Sequence, residues 1–211
     1  MGTETVRLHD LEQTLGENLG TPVIIVCAKE EVDPARLHQA ERKRLSEFRF
    51  ERRKRDWLLG RNALKEILPM LGGNEDTTGK TFAGSRVSLT HAGHTAYAAA
   101  ATQKDRGIGI DYEPLRDIDT RAARWFLDHQ ELQWLNIQPE SVRSAELVRL
   151  WTIKEAAYKS HPNNRQMTLS DFAISEPSAH VSDVITGGPR IRVTSEACGS
   201  GHLSVAIFGE E

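Results

Sequence analysis

Ile108-Gly109-Ile110-Asp111-Tyr112-Glu113 is a short apolar run that ends in acids and is closed by Pro114. It predicts a strand. Side chains two apart on a strand point the same way, so Asp111 and Glu113 stand together at its end. Neighbouring carboxylates repel each other, and a hard cation relieves that repulsion. The same residues also suit a solvated strand end entering the Pro114 turn. The motif alone does not choose between the two.

Downstream, Ser141 to Lys159 follows a helical pattern that closes on Trp151-Thr152-Ile153-Lys154-Glu155-Ala156-Ala157-Tyr158-Lys159. Trp151, Glu155 and Lys159 are spaced by four and share a face. Glu155 and Lys159 could form a surface pair contributing only ~0.3–0.5 kcal/mol. A tryptophan on that face argues instead for an acid and a base at the edge of a buried surface. Another helical pattern covers about Asp119 to Leu135, and Phe172–Ile174, Arg190–Val193 and Leu203–Ile207 read as strands between Gly, Pro and Ser turns.

Upstream, Val23-Ile24-Ile25-Val26 reads as a buried strand. Helical spacing follows from Pro34, and again from Trp57 to Leu68. Asn74 to Gly84 is a loop, and Val87-Ser88-Leu89-Thr90-His91 alternates like a strand. Ala96 to Ala101 is ambiguous, because alanine favours helix in isolation. The order is strand, helices, strands, repeated once. It suggests two lobes, 1–105 and 106–211, joined near Lys104 to Arg106, although no strong sequence repeat supports the division.

The 211 residues suit one globular unit or two small lobes, and 38% hydrophobic with 27% charged residues excludes wholesale disorder. A net charge of −3 does not suggest a nucleic-acid coat. Locally, Arg36 to Glu66 holds eleven Lys and Arg against five acids, a field suited to phosphate or simply a solvated helix face. No apolar stretch is long enough to span a bilayer, and Glu4, Arg7, His9 and Asp10 break up any signal-peptide core. Cys27 and Cys198 cannot make a disulfide framework, so a reduced, cytoplasmic protein is expected. Gly79-Lys80-Thr81 mimics the end of a P-loop, but Asn74 stands where the first Gly is needed. His91 and His94 lack companions for a metal cluster, and His91 suits an anion contact or a structural role.

Together these segments resemble the 4′-phosphopantetheinyl transferases of the longer Sfp/EntD-like type, from about Leu45 to Ser160. Leu59-Gly60-Arg61 looks like the family's early helix. Lys80 looks like its Gly-Lys-Pro element, with Thr81 in place of proline. Ser88-Leu89-Thr90-His91 looks like its Ser-x-Ser-His strand, with Thr90 for the second serine. Gly109 to Glu113 matches Gly-x-Asp-x-Glu, Trp125 to Leu132 resembles a short helical element that includes Glu131, and Leu150 to Lys159 matches Leu-Trp-x-x-Lys-Glu-Ala-x-x-Lys.

The resemblance implies an α+β fold of two similar lobes related by a pseudo-twofold axis, with coenzyme A in the cleft between them. It implies transfer of phosphopantetheine from coenzyme A to a serine of an apo acyl- or peptidyl-carrier protein, with release of adenosine 3′,5′-bisphosphate. Asp111, Glu113 and Glu155 would hold Mg²⁺ on the pyrophosphate. Lys159 would add a cation there, and Glu155 or a metal-bound water would take the serine proton. Arg61, Lys80 and His91, with Arg53, Arg55 and Ser88, would bind the coenzyme. A monomer is expected, with neither nucleic acid nor membrane as partner. Three other readings compete: a metal-dependent phosphohydrolase using the same acids; a basic-helix module for nucleic acid, which leaves the acids without a role; and a degenerate transferase, supported only by Thr81 and opposed by the intact acids.

Overall fold

The computed structural model describes residues 5–209. Glu4 and the outer ends of the two expected lobes lie outside that range. The elements run β1 (Thr5–Arg7), α1 (His9–Leu19), β2 (Val23–Ala28), α2 (Gln39–Ser46), α3 (Glu51–Met70), β3 (Val87–Ala92), β4 (Thr95–Ala101) and β5 (Gly107–Pro114). Then come α4 (His129–Ile137), α5 (Glu140–Ser160), β6 (Ala173–Ile174), β7 (Val181–Ile185), β8 (Ile191–Cys198) and β9 (Gly201–Phe208). The fold is α+β, with one sheet in the order β1-β2-β4-β3 and the other in the order β5-β9-β8-β7-β6. The chain passes from the first to the second between Ala101 and Gly107.

The two sheets share a plan. Each begins with a strand (β2, β5), continues through a long helix (α3, α5) and closes with a hairpin (β3–β4, β8–β9). The last strand of each hairpin returns antiparallel beside the first. Alternation along the strands explains the layers. Ile24, Val26 and Ala28 pack with Ala96, Ala98 and Ala100 against Leu64 and Ile67 of α3. Their neighbours Val23, Ile25, Cys27, Tyr97 and Ala99 point the other way, into a core shared with Ile108, Ile110, Tyr112, Val205 and α1's Leu15. Ala96–Ala101 is therefore a central strand covered on both faces, where small side chains let layers approach and tertiary packing overrides helix propensity. Helix α1 packs onto β2 and also onto β8 and β9, and Asn18 donates to Thr194 Oγ1 at 3.1 Å, so this helix straps one lobe to the other.

The helical spacing expected from Pro34 is divided between a 3-10 turn, Pro34–Arg36, and α2. The pattern expected over Asp119–Leu135 is divided between a 3-10 turn, Thr120–Trp125, and α4, with Asp128 capping the latter. Cys27 and Cys198 are both free thiols.

Each lobe carries a buried acid–base anchor of the same construction. Glu41 is the third residue of α2, and its Oε2 accepts from the cap His38 N–H and from Lys65 Nζ on α3, both at 2.8 Å. Its Oε1 accepts from Thr77 N–H and from the Thr77 hydroxyl. Glu131 is the third residue of α4, and its Oε2 accepts from the cap Asp128 N–H at 2.7 Å and from Lys154 Nζ at 2.6 Å on α5. Its Oε1 accepts from Ile174 N–H at 2.7 Å. Lys65, Lys154 and Glu131 are fully buried, and Glu41 nearly so. Burial pushes the Lys154 ammonium down, and Glu131 beside it pulls it back up. Removing one partner strands a buried charge, so Lys154→Met is expected to cost about 3–5 kcal/mol. Lys154→Met with Glu131→Gln should recover much of that. Denaturant midpoints of the wild type and both variants check the prediction.

Candidate active site at the lobe seam

Gly107, Gly109, Asp111 and Glu113 share the β5 face that meets α5. A Cβ on Gly107 would lie 2.5 Å from Ser160 O, and one on Gly109 would lie 1.8 Å from Ala156 O. Without side chains at these two positions the helix settles directly on the strand. Asp111, the next residue on that face, then meets the last turns of α5. Lys159 Nζ donates to Asp111 Oδ1 at 2.7 Å and to Ile110 O at 3.1 Å. The partner of Lys159 is thus an acid on another element rather than Glu155 one turn away, which removes the surface-pair reading.

Glu155 and Glu113 complete the acidic group. Burial raises the Glu155 carboxyl; Lys159 opposes this, while Asp111 and Glu113 raise it further. Burial likewise raises Glu113; Arg116 at 3.4 Å opposes this and Asp111 adds to it. Both glutamates hold a proton more tightly folded than unfolded. Their ionisation therefore lowers stability as pH rises above the ordinary glutamate value of 4.5.

The edges of β3 and β5 meet here through side chains as well as backbone. Ile108 N–H donates to Ser85 O at 2.8 Å, and Ile110 N–H donates to Ser88 Oγ at 3.1 Å. Thr90 Oγ1 donates to Asp111 Oδ1 at 2.8 Å. Ser88, expected on the coenzyme, is fully buried, and its hydroxyl seams the two strands. Asp111 Oδ2 is enclosed and has no hydrogen-bond partner.

The cations lie on the other side of β3. A Cβ on Gly60 would stand 2.6 Å from His91 Nε2, so α3 rests on the histidine ring at the one residue that permits it. The protein packed around it pushes His91 toward the neutral form although an edge stays exposed; Asp56 opposes this, and Lys159 and Arg61 add to it. His91 thus lies within electrostatic reach of both Arg61 on α3 and Lys159 on α5. Arg61 stacks over Trp57 with its guanidinium carbon 4.8 Å from the ring centroid, and its Nε is buried without a hydrogen-bond partner. Burial lowers its pKa, and Glu41 partly offsets that. Arg55 Nε is likewise buried without a partner, and Arg53 is exposed. Other cations of the basic stretch are taken: Arg36 by Glu66 at 2.7 Å and Glu75 at 3.0 Å, Arg44 by Glu47 at 2.7 Å, and Lys65 by Glu41. Lys80 is exposed further along α3, lining a cavity of about 290 Å³ with Leu64, Leu68, Phe82 and Arg86.

Among the described residues no group of three or more His, Cys, Asp or Glu is disposed to hold a metal ion. The expected closure of Asp111, Glu113 and Glu155 on one cation is thus not formed by their side chains as they stand. Three like charges separate, and the Lys159 ammonium sits on Asp111 instead. The donor chemistry nonetheless suits a hard divalent cation: three carboxylates, two of them raised by burial and further by their acidic neighbours, and one bare buried oxygen. Sequence reasoning had not placed Thr90 on Asp111, Arg116 beside Glu113 or Trp57 beneath Arg61. Of these only the Trp57–Arg61 spacing of four carried a signal.

Residues 107–204 match the family model described as the 4′-phosphopantetheinyl transferase superfamily. The 4′-phosphopantetheinyl transferase psf-1 of Bacillus pumilus is 30% identical over 137 residues, covering 59% of this chain and 58% of that protein. The 4′-phosphopantetheinyl transferase gsp of Aneurinibacillus migulanus is 29% identical over 69 residues, covering 33% of this chain and 29% of that protein. The chain thus spans less than two thirds of the length of these relatives. The crystal structure of Thermotoga maritima holo-[acyl-carrier-protein] synthase aligns with a TM-score of 0.42 at 14% identity, over 50% of this chain and 64% of that one. The matched span, 107–204, holds Asp111, Glu113, Glu155 and Lys159 together with the glycines that seat α5 on β5. By that match and those two relatives, the chain is similar to the 4′-phosphopantetheinyl transferase superfamily over the half that carries this site, and to Sfp-like members of it.

Proposed function

We propose that this chain, acting as a monomer with both lobes in one unit, transfers 4′-phosphopantetheine from coenzyme A to a serine of an apo acyl- or peptidyl-carrier protein. The serine oxygen bonds to the phosphorus of the phosphopantetheine arm. The bond from that phosphorus to the bridging oxygen breaks, and adenosine 3′,5′-bisphosphate leaves. The observation that carries the reading is the meeting of Lys159 with Asp111 where α5 crosses β5, with Glu113 and Glu155 as charged neighbours.

Each residue then has a task. Asp111, Glu113 and Glu155 would hold Mg²⁺, which when bound neutralises charge on the pyrophosphate. Lys159, which holds Asp111 here, would be placed to meet a phosphate oxygen. Glu155, at the edge of the acidic group, or a water held by the cation, would take the serine proton. On the far side of β3, Arg61 and His91 suit the 3′-phosphate, with Lys80, Arg53 and Arg55 along the same helix and loop.

Mass spectrometry of a carrier panel incubated with the protein, coenzyme A and Mg²⁺ tests the proposal. One phosphopantetheine gained on a carrier serine is the expected result. Coenzyme A consumed equally with and without carrier would replace it by the phosphohydrolase reading. Arg61→Ala is expected to weaken coenzyme A roughly ten- to a hundredfold more than dephospho-coenzyme A, since a charge-assisted contact contributes about 1.5–3 kcal/mol. Titration calorimetry with both ligands measures this, and equal losses would remove Arg61 from the 3′-phosphate.

A further inference from the structure

We propose that Thr90 is a positioning residue, whose hydroxyl reaches across the lobe seam to turn Asp111 so that Oδ2 alone is offered to a divalent cation. This rests on the metal reading of the site given above. Asp111 Oδ1 takes two donors, Thr90 Oγ1 at 2.8 Å and Lys159 Nζ at 2.7 Å. Oδ2 takes none, although the residue is only 5% exposed. Buried carboxylate oxygens are ordinarily satisfied. One saturated oxygen beside one bare oxygen is what a ligand prepared for a single metal bond would show.

The two donors are not equivalent. Lys159 is a long, jointed side chain that can swing to a phosphate when a cation arrives. Thr90 is short, β-branched, buried and fixed on β3, so its donor stays where it is. The terminal torsion of an aspartate is broad, and without a fixed donor the carboxylate turns freely about it. With Thr90 in place, Oδ1 remains held after Lys159 departs. Ser88 cannot substitute, because its hydroxyl is buried one pleat away and accepts from Ile110 N–H. The contact joins β3 of the first lobe to β5 of the second, so the aim of the ligand depends on how the lobes are seated.

The test uses the whole chain, with Mn²⁺ as probe, titrated by the EPR signal of the free ion at saturating coenzyme A. Thr90→Val keeps the shape and removes the hydroxyl, Thr90→Ala removes both, and Thr90→Ser restores the donor. Supporting groups of metal ligands typically contribute ten- to a hundredfold in metal affinity, so Val and Ala should each weaken Mn²⁺ by about that factor, with Ser within about threefold of wild type. Coenzyme A affinity in EDTA should be the same for all four proteins, which a merely structural loss would not allow. Near-UV circular dichroism shows which of the two removals keeps the fold, and either alone suffices. Wild-type Mn²⁺ affinity in the folded removal, while Asp111→Asn loses the ion, would overturn the role of Thr90 and leave the metal reading standing. Equal Mn²⁺ affinity in Asp111→Asn and wild type would place the cation elsewhere and overturn both.

Discussion

Asp111→Asn is expected to lower kcat for carrier modification at least about a hundredfold, a loss of roughly 2.7 kcal/mol of transition-state stabilisation, while thermal stability stays level or rises. The two halves of the prediction have one cause. Asp111 is a buried carboxylate with one bare oxygen, and it raises the pKa of both Glu113 and Glu155. Making it neutral removes that repulsion. It also leaves Lys159, a quarter exposed, free to reach water. The amide keeps the volume and an acceptor oxygen for Thr90. On the proposed function, what disappears is the charge that would hold a cation at a pyrophosphate. Functional groups held against stability behave in this way. Single-turnover transfer at saturating coenzyme A and Mg²⁺, beside a melting curve, measures both effects. A folded variant within about tenfold of the wild-type rate, ~1.4 kcal/mol, would remove Asp111 from the reaction.

A stability loss as large as that of Lys154→Met is expected at Gly109→Ala. A methyl group there would stand 1.8 Å from Ala156 O and 2.7 Å from Ser160 N, and both are helix backbone that no side-chain rotation can clear. Overpacking usually costs 1–3 kcal/mol when side chains can adjust. Here α5 must lift from β5, and a cost of roughly 3–5 kcal/mol, or about 10 °C in Tm, is expected. Gly188→Ala is the control, because a Cβ there meets only Thr186 Oγ1 at 3.9 Å. A Gly109→Ala melting point within about 3 °C of wild type, near 1 kcal/mol, would mean that helix and strand are not held in such close contact. The same displacement would carry Lys159 and Glu155 away from Asp111, so activity should be lost even in any soluble fraction.

Much of the site could be read before any coordinates. The two-residue period of a strand brings Asp111 and Glu113 to one face, and the four-residue spacing of a helix brings Glu155 and Lys159 to another. What neither period contains is how the faces meet. Lys159 takes Asp111 because glycines at 107 and 109 let the helix down onto the strand, a contact between elements about fifty residues apart in sequence. Thr90 reaches Asp111, and Ser88 the Ile110 N–H, because the lobes abut along β3 and β5. Ala96–Ala101 stayed ambiguous for a related reason: propensity describes an isolated segment, whereas this one is enclosed on both faces. Helix α1 was readable but missed. Leu8, Leu11, Leu15 and Leu19 recur at three- and four-residue steps, and Gly20 ends the helix in the left-handed region at φ 66°.

The paired anchors, Glu41 with Lys65 and Glu131 with Lys154, fix a correspondence between the halves that sets a stoichiometry. In both helices the residue after the anchor lysine is a glutamate, Glu66 in α3 and Glu155 in α5. Yet β2, the counterpart of β5, reads Val-Ile-Ile-Val-Cys-Ala and holds no acid. Glu66 is closed by Arg36 at 2.7 Å. Among the described residues, a scaffold built twice therefore carries this acidic cluster once, and on the proposed function binding isotherms for a divalent cation should saturate at one ion per chain.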